Sequence, residues 1–263
     1  MAIPILAYHN ISNKFEPGVT RNTIHQFKNQ MEWLFRNGYQ TITLNDYHAF
    51  ESKTVSKSSK KTIIITFDDA YESLANAAAI MQEFGFIGCT FAISDYVGRS
   101  NLWDYQLLNR KIQHADYKLL KQLLLSGWEV GSHTKTHAFL PFLSDNEIIR
   151  EIKTSKETLE NHLNVSIKSI SYPYGKCNAK IRKIAKDMGF QTGVSLGMKK
   201  TSQHDLMNLH RVGIYLFDIK PIFQKKISSA HFNPKRIYSI QRCVSSFSFG
   251  SVFYRLLKQR IIN

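Results

Sequence analysis

No segment of the chain reaches the roughly 18 uncharged apolar residues that a membrane-crossing helix needs, so no spanning helix is expected. Cysteine is scarce. Cys89, Cys177 and Cys243 are odd in number and far apart, which argues against a disulfide framework and makes a cytosolic location the simpler expectation. The opening Met1-Ala2-Ile3-Pro4-Ile5-Leu6-Ala7-Tyr8-His9 lacks a basic n-region and a long apolar h-region, so it reads as a first strand and not as a signal peptide. Acidic residues are also short: 20 against 35 Lys and Arg, a formal charge of +15. Such an excess suits an anionic surface. No helix-turn-helix, zinc-finger or RNA-binding pattern accompanies it, however, and nucleic acid is not an expected partner. No internal repeat is visible. What remains is a 263-residue chain, 43% hydrophobic, of a length common for a single barrel-like unit.

Short β-branched runs alternate with helical patterns through most of this length. Strands are expected at 3–8, 62–67, 89–93, 128–132, 169–172, 191–195 and 211–215. Residues 23–37 predict a helix with Phe27, Met31, Leu34 and Phe35 on one stripe and Gly38 as its stop. Further helices are expected at 74–84, over most of 104–126, from the capping box Ser144-Asp145-Asn146-Glu147 to about 162, and at 178–188. The polar stretch 52–61 reads as an exposed link. This order argues for a parallel sheet. With about seven strands it predicts an α/β fold of the irregular (β/α)7-like barrel type. Residues 1–217 would form the barrel and 218–263 a basic C-terminal extension. That extension carries Lys220, Lys225, Lys226, Lys235, Arg236, Arg242, Arg255, Lys258 and Arg260 against Asp218 alone. It is either a solvated tail or a patch for the anionic inner face of a membrane, with Val252-Phe253-Leu256-Leu257 as an interfacial helix.

Two segments carry the chemistry. Thr62-Ile63-Ile64-Ile65-Thr66-Phe67 ends in Asp68-Asp69, and Trp128-Glu129-Val130-Gly131 leads into Ser132-His133-Thr134-Lys135-Thr136-His137. Successive residues at a strand end point in different directions, so one carboxylate can bind a metal while its neighbour faces a substrate. Histidines four apart reach one side of a single turn or tight loop. Two imidazoles and a carboxylate form the ligand set of a catalytic zinc-type site with one position open. The surplus carboxylate can then act as a base. Taken singly, Asp-Asp also suits a helix N-cap, and the histidine pair also suits a polar surface. The two together, each after a strand of a β/α chain, point to a site at the carboxyl ends of the strands.

With Ser171-Tyr172-Pro173-Tyr174-Gly175, these segments resemble the first three motifs of the NodB-type polysaccharide deacetylases, carbohydrate esterase family 4, in the family's order. Tyr8-His9-Asn10-Ile11 is similar to the start of many members, and the resemblance spans about residues 3–215. It implies a metal-dependent hydrolase that removes N-acetyl groups from a sugar in a polysaccharide or lipid-linked glycan precursor. Asp68 would be the general base. Asp69, His133 and His137 would be the metal ligands, and Tyr174 would help form an oxyanion hole, chiefly through its backbone N–H. The divalent metal would be Zn²⁺ by ligand type, with Co²⁺, Ni²⁺ or Mn²⁺ as alternatives. A precursor made at the cytoplasmic membrane face would fit the expected location.

The chain departs from the family pattern in three places. Ser171 stands where many members carry an Arg that orients the base. The fourth motif, an Asp with a nearby Trp, has no match. The fifth, a Leu-x-His that supplies the general acid, is approached only by Leu209-His210-Arg211, with the wrong spacing. His210 is one candidate acid. His9, at the end of the first strand, is another, with substrate binding or simple packing as its other readings. Trp103 and Asp104 suit sugar stacking and hydroxyl recognition, or a helix cap over a core Trp. Pro173 and Tyr174 complete the candidate substrate residues. Two other functions stay open: an amidohydrolase of a small amide, such as a formamide or cyclic ureide, and a catalytically silent glycan-binding barrel.

Overall fold

The structure is a computed structural model that describes residues 3–14, 19–51, 61–101, 111–196 and 205–232, with side chains placed to 228. The elements run β1 (Ile5–Tyr8), β2 (Asn10–Ile11), β3 (Arg21–Asn22), α1 (Ile24–Arg36), β4 (Tyr39–Thr41), α2 (Leu44–Glu51), β5 (Lys61–Phe67), α3 (Leu74–Gln82), β6 (Cys89–Ala92), α4 (Tyr117–Leu125), β7 (Glu129–Ser132), α5 (Asp145–Leu163), β8 (Ser169–Ser171), α6 (Ala179–Asp187), β9 (Thr192–Ser195), β10 (Leu209–His210), β11 (Val212–Gly213) and α7 (Lys220–Phe232). The main sheet has the order β10-β9-β8-β7-β6-β5-β1-β11, with β4 also paired to β5, and its pairings are parallel. β10 and β11 are two halves of one short segment. The first half pairs with β9 and the second with β1, so residues 209–213 bring the two ends of the sheet together. The result is the expected irregular β/α barrel of about seven staves, nearly closed.

Parallel strands covered on both faces need apolar side chains on both, and β5 shows it: after Lys61 and Thr62 every residue is buried. Alternation sorts these side chains into two cores. Ile5, Ile64, Cys89, Phe91, Val194 and Leu209 pack together inside the ring. Leu6, Tyr8, Ile63, Ile65, Phe67, Val130 and Ile170 face the helices. Phe67 stacks between Tyr8 and Trp128, with ring centroids at 5.6 and 5.4 Å. Losing such an aromatic from a core costs about 3–5 kcal/mol. Inside the ring there is little spare room. A Cβ on Gly131 would lie 2.5 Å from the Ser169 hydroxyl and 2.6 Å from the Phe91 ring, so only glycine fits there.

The helices form where amphipathic spacing and caps coincide. α1 buries Phe27, Gln30, Met31 and Leu34, and Thr23 caps it by accepting from the Gln26 N–H at 3.1 Å. Gly38, at φ 74°, ends it. Phe35 departs from the predicted stripe: it is 55% exposed, with its ring near those of Phe84 and Phe86. α5 opens on the expected capping box.

Within the described part of the expected 104–126 helix, residues 111–116 are not helical. Residues 104–110 lie outside the described set, and residues 113 and 114 make antiparallel bridges with Ser100 and Tyr71. The helix starts only where Asp116 caps the Leu119 N–H at 2.8 Å. β4 and α2 are elements the periodicity did not announce; β4 is three residues long and nowhere fully buried.

α7 does not float free. Phe223 and Ile227 enter the outer core, and Phe223 packs edge-on against Trp33. Lys226, counted among the basic residues of the extension, is 2% exposed and pairs with the buried Asp218. The basic residues from Lys235 onward lie outside the described set, as do Trp103 and Asp104. Among the described residues, no helix is long and apolar enough to cross a membrane.

Candidate active site

The same alternation that sorts the core aims the site. Ile64 and Thr66 face the interior, so Asp68 continues their column past the end of β5. Ile5 and Ala7 do the same for His9, and Glu129 and Gly131 for His133. Asp68 is 2% exposed and His133 2%. The chain then bends sharply. Asp69, Ala70, Thr134, His137 and Tyr174 all have φ between 47° and 67°. Non-glycine residues seldom adopt this left-handed region, and such strain clusters at functional sites. The one other non-glycine example among the described residues, Asn164, is the C-cap of α5.

These bends bring Asp69, His133 and His137 together, with one ligand atom from each within 4.8 Å of the others. Asp69 Oδ1 lies 3.5 Å from His133 Nε2 and 3.7 Å from His137 Nε2. Tetrahedral bonds of about 2.1 Å would separate neighbouring ligand atoms by roughly 3.4 Å, so the spacing fits a shared ion. His133 Nδ1 sits 2.7 Å from the Ser171 carbonyl oxygen. A carbonyl can only accept, so Nδ1 carries the proton and Nε2 presents its lone pair to the ligand cluster. Burial lowers the His133 pKa, against the opposing pull of Asp68, which favours the neutral, ligating form.

The loop that carries the histidines is tied to α5. Glu151 accepts from the Thr136 N–H at 2.9 Å and from its hydroxyl at 2.8 Å, and its own carbonyl accepts from the Lys135 N–H. The His137 N–H donates to the Thr134 hydroxyl, and the Ser132 and Ser155 hydroxyls meet at 2.8 Å. On the other side, His114 Nδ1 lies 2.6 Å from the Asp69 carbonyl oxygen and fixes that turn. Burial lowers its pKa to about 4, opposed by this hydrogen bond.

Asp68 is not among the clustered ligand atoms; it is paired with Arg211. The guanidinium donates to both carboxylate oxygens, Nη1 to Oδ1 at 2.8 Å and Nη2 to Oδ2 at 2.7 Å. It also donates to the Thr66 hydroxyl at 3.0 Å and the Ser171 hydroxyl at 2.9 Å. Burial alone would raise the Asp68 pKa. The charges of Arg211, His133 and His9 and the Arg211 hydrogen bonds outweigh it and hold the carboxyl well below its usual range. The departure at Ser171 therefore has a structural answer. The third motif offers a hydroxyl, and the guanidinium reaches Asp68 from the segment that closes the barrel.

His9 lies beside this pair, its Nε2 3.9 Å from Asp68 Oδ2. Burial lowers its pKa to about 4, with Asp68 pulling the other way. His210 does not join the group. Leu209 and Arg211 point inward, so the residue between them turns outward. Its ring sits 3.4 Å from the Ser195 hydroxyl on the outer side of β9. Tyr174 stands over the cluster, its ring 4.7 Å from that of His137. Pro173 beneath it is buried. A Cβ on Gly175 would come within 2.3 Å of Leu196, so the two consecutive left-handed residues of this turn need glycine at the second.

Arg211, His114 and Glu151 are the site residues that sequence reasoning missed. Arg211 had a usable signal: if Leu209 is a core residue in a strand, Arg211 shares its face. A buried Arg on the inner face of a barrel implies a buried carboxylate partner. His114 and Glu151 had none, since each acts by hydrogen-bonding a distant loop.

Comparison with known proteins agrees with this geometry. The polysaccharide deacetylase family profile matches residues 55–193. YxkH of Bacillus subtilis, assigned to the polysaccharide deacetylases, is 29% identical over 214 residues, covering 81% of this chain and 71% of that one. The poly-β-1,6-N-acetyl-D-glucosamine N-deacetylase of Staphylococcus aureus is 28% identical over 184 residues, covering 66% of this chain and 60% of its own. Thus the present chain spans less than two thirds of that relative. Among solved structures, the Streptococcus pyogenes deacetylase PplD in complex with acetate superposes with a TM-score of 0.74 at 21% identity, over 86% of this chain and 97% of that one. Motifs, barrel and profile agree: the chain belongs to the polysaccharide deacetylases.

Proposed function

We propose that this protein is a divalent-metal-dependent hydrolase that removes acetyl groups from N-acetylhexosamine residues of a glycan. The observation that carries the reading is a division of labour between adjacent carboxylates. Asp69 lies with two histidines in a buried cluster, while Asp68, one residue earlier, makes a two-pronged ion pair with Arg211. The ligand types favour Zn²⁺. An ion held by Asp69, His133 and His137 would supply Lewis acidity, easing deprotonation of water and drawing charge toward the acyl oxygen.

The protein's own groups do the rest. Arg211 holds Asp68 in place beside His133, where the carboxylate would take a proton from the attacking water. Tyr174, fixed in its left-handed turn, would turn its backbone N–H toward the charge developing on the acyl oxygen. The water oxygen bonds to the acyl carbon, the carbon–nitrogen bond breaks, and acetate leaves. The departing amine needs a proton, and His9 is placed to deliver it. Its neutral ring, 3.9 Å from Asp68, can collect the proton Asp68 has taken once substrate draws the two together. The staphylococcal relative suggests a β-1,6-linked N-acetylglucosamine polymer as the first substrate to try.

The test is acetate release from N-acetylglucosamine oligomers by wild-type protein and Asp68→Asn, each loaded with Zn²⁺ or stripped by chelator. Metal-dependent release that Asp68→Asn cuts by at least about 100-fold, with one metal still bound per chain, supports the reading. Release that survives chelation, or survives Asp68→Asn, overturns it. Metal bound one-to-one with no release on any glycan would move the site to small amides.

A further inference from the structure

Beyond the reacting centre, a line of aromatic rings leads out of the site. It starts at Tyr174, whose ring lies 4.7 Å from that of His137. Phe139 follows at 5.7 Å from Tyr174, and Phe142 at 4.7 Å from Phe139, inclined at 71°. Phe139 is half-buried. Phe142 is 62% exposed, the most exposed of the large aromatics among the described residues.

That exposure is built into the turn. Leu140 is fully buried and pins a 3-10 turn over 140–142 that contains Pro141. The Phe142 N–H donates to the Phe139 carbonyl at 3.1 Å, and the Leu143 N–H to that of Leu140 at 3.1 Å. The capping box of α5 begins immediately afterwards at Ser144. The turn therefore fixes the backbone of Phe142, and its ring, packed against Phe139, stands largely in water. A ring held rigidly beside a site loses little entropy when a ligand covers it.

We propose that Phe139 and Phe142 form a subsite for the sugar next to the one being deacetylated, so that the enzyme prefers chains over single sugars. This rests on the deacetylase reading. The chemistry of the occupant follows from the surface. One face of a pyranose ring presents C–H groups, apolar and slightly positive, which match the negative face of an aromatic ring. The rings follow one another from Tyr174, inclined at 57° and then 71°, so that each can offer its own face or edge to a sugar. Each step along this line is of the order of one sugar residue, so it meets the neighbouring unit of a chain whose N-acetyl group lies at the cluster. A neutral, acetylated sugar needs no charged partner here.

The test compares kcat/KM for acetate release from a β-1,6-linked N-acetylglucosamine tetramer and from the monosaccharide, using Zn²⁺-loaded full-length protein. Wild type should favour the tetramer. Phe142→Ala should lower the tetramer-to-monomer ratio by roughly five- to tenfold, carried by KM, and Phe142→Trp should restore it. An unchanged ratio, whether because both substrates are spared or both lose equally, overturns the subsite. If no glycan releases acetate, the deacetylase reading fails, and calorimetric titration of the same tetramer decides the subsite alone. Weaker binding to Phe142→Ala than to wild type upholds it, and equal or absent binding overturns it.

Discussion

Removing Arg211 tests the site and the barrel closure at once. The side chain is buried, with only 3% of the residue exposed, and it makes two charge-assisted hydrogen bonds to Asp68 and one each to Thr66 and Ser171. Arg211→Met keeps the volume and removes the charge, leaving Asp68 buried without its partner. Breaking a buried pair in this way costs about 3–5 kcal/mol. At about 2–4 °C per kcal/mol for a domain near this size, Tm should fall by roughly 6–20 °C at neutral pH. The sign with pH follows from the direction of the shift. The folded-state pKa of Asp68 is depressed, so its contribution is present above the unfolded value of about 3.9 and is lost as pH falls toward the folded value. The wild-type advantage over Arg211→Met should therefore shrink in acid. With Arg211 gone, burial dominates and the Asp68 pKa rises, so the acidic limb of the pH–rate profile should move upward. Arg211→Lys restores charge but not the fork, and should recover stability more than rate. Adding Asp68→Asn to Arg211→Met removes the stranded charge, so the double variant should be more stable than Arg211→Met alone. Urea unfolding and pH–rate profiles read all of this. A Tm within about 2 °C of wild type, with an unmoved acidic limb, would refute the reasoning.

Two further expectations follow from neighbouring residues. Glu151→Gln weakens the anchor of the histidine loop at the Thr136 N–H and hydroxyl, and should lower metal affinity by roughly 10- to 100-fold, measured by competition with a chromogenic chelator; unchanged affinity would show that the loop holds its shape without that carboxylate. His9→Ala should slow acetate release from a glycan amide by roughly 100-fold or more, yet spare an aryl acetate, whose leaving group needs no proton; equal losses on both substrates would exclude His9 as the proton donor.

The sequence determined the frame by itself. Strand ends and helix stops read from β-branched runs, capping residues and glycines fall within a few residues of the observed ones. The candidate site was legible because its members come in pairs close along the chain, Asp68 with Asp69 and His133 with His137, each behind an apolar strand. Local pattern is enough when a motif's parts are local. It failed where a single position has two defensible neighbours. Chemistry points to His210 as a candidate acid, and only strand parity shows that His210 turns out toward Ser195 while its neighbour Arg211 turns in. It failed again at residues 113 and 114, where a helical reading gave way to bridges with Ser100 and Tyr71, 13 and 43 positions back. The clamp on Asp68 crosses 143 positions, and the carbonyl that sets the His133 tautomer lies 38 away. No local propensity encodes such contacts. Only closure of the barrel, with residues 209–213 bridging β9 and β1, brings Arg211 to the end of β5 and decides which carboxylate is clamped by a guanidinium and which lies with the two histidines.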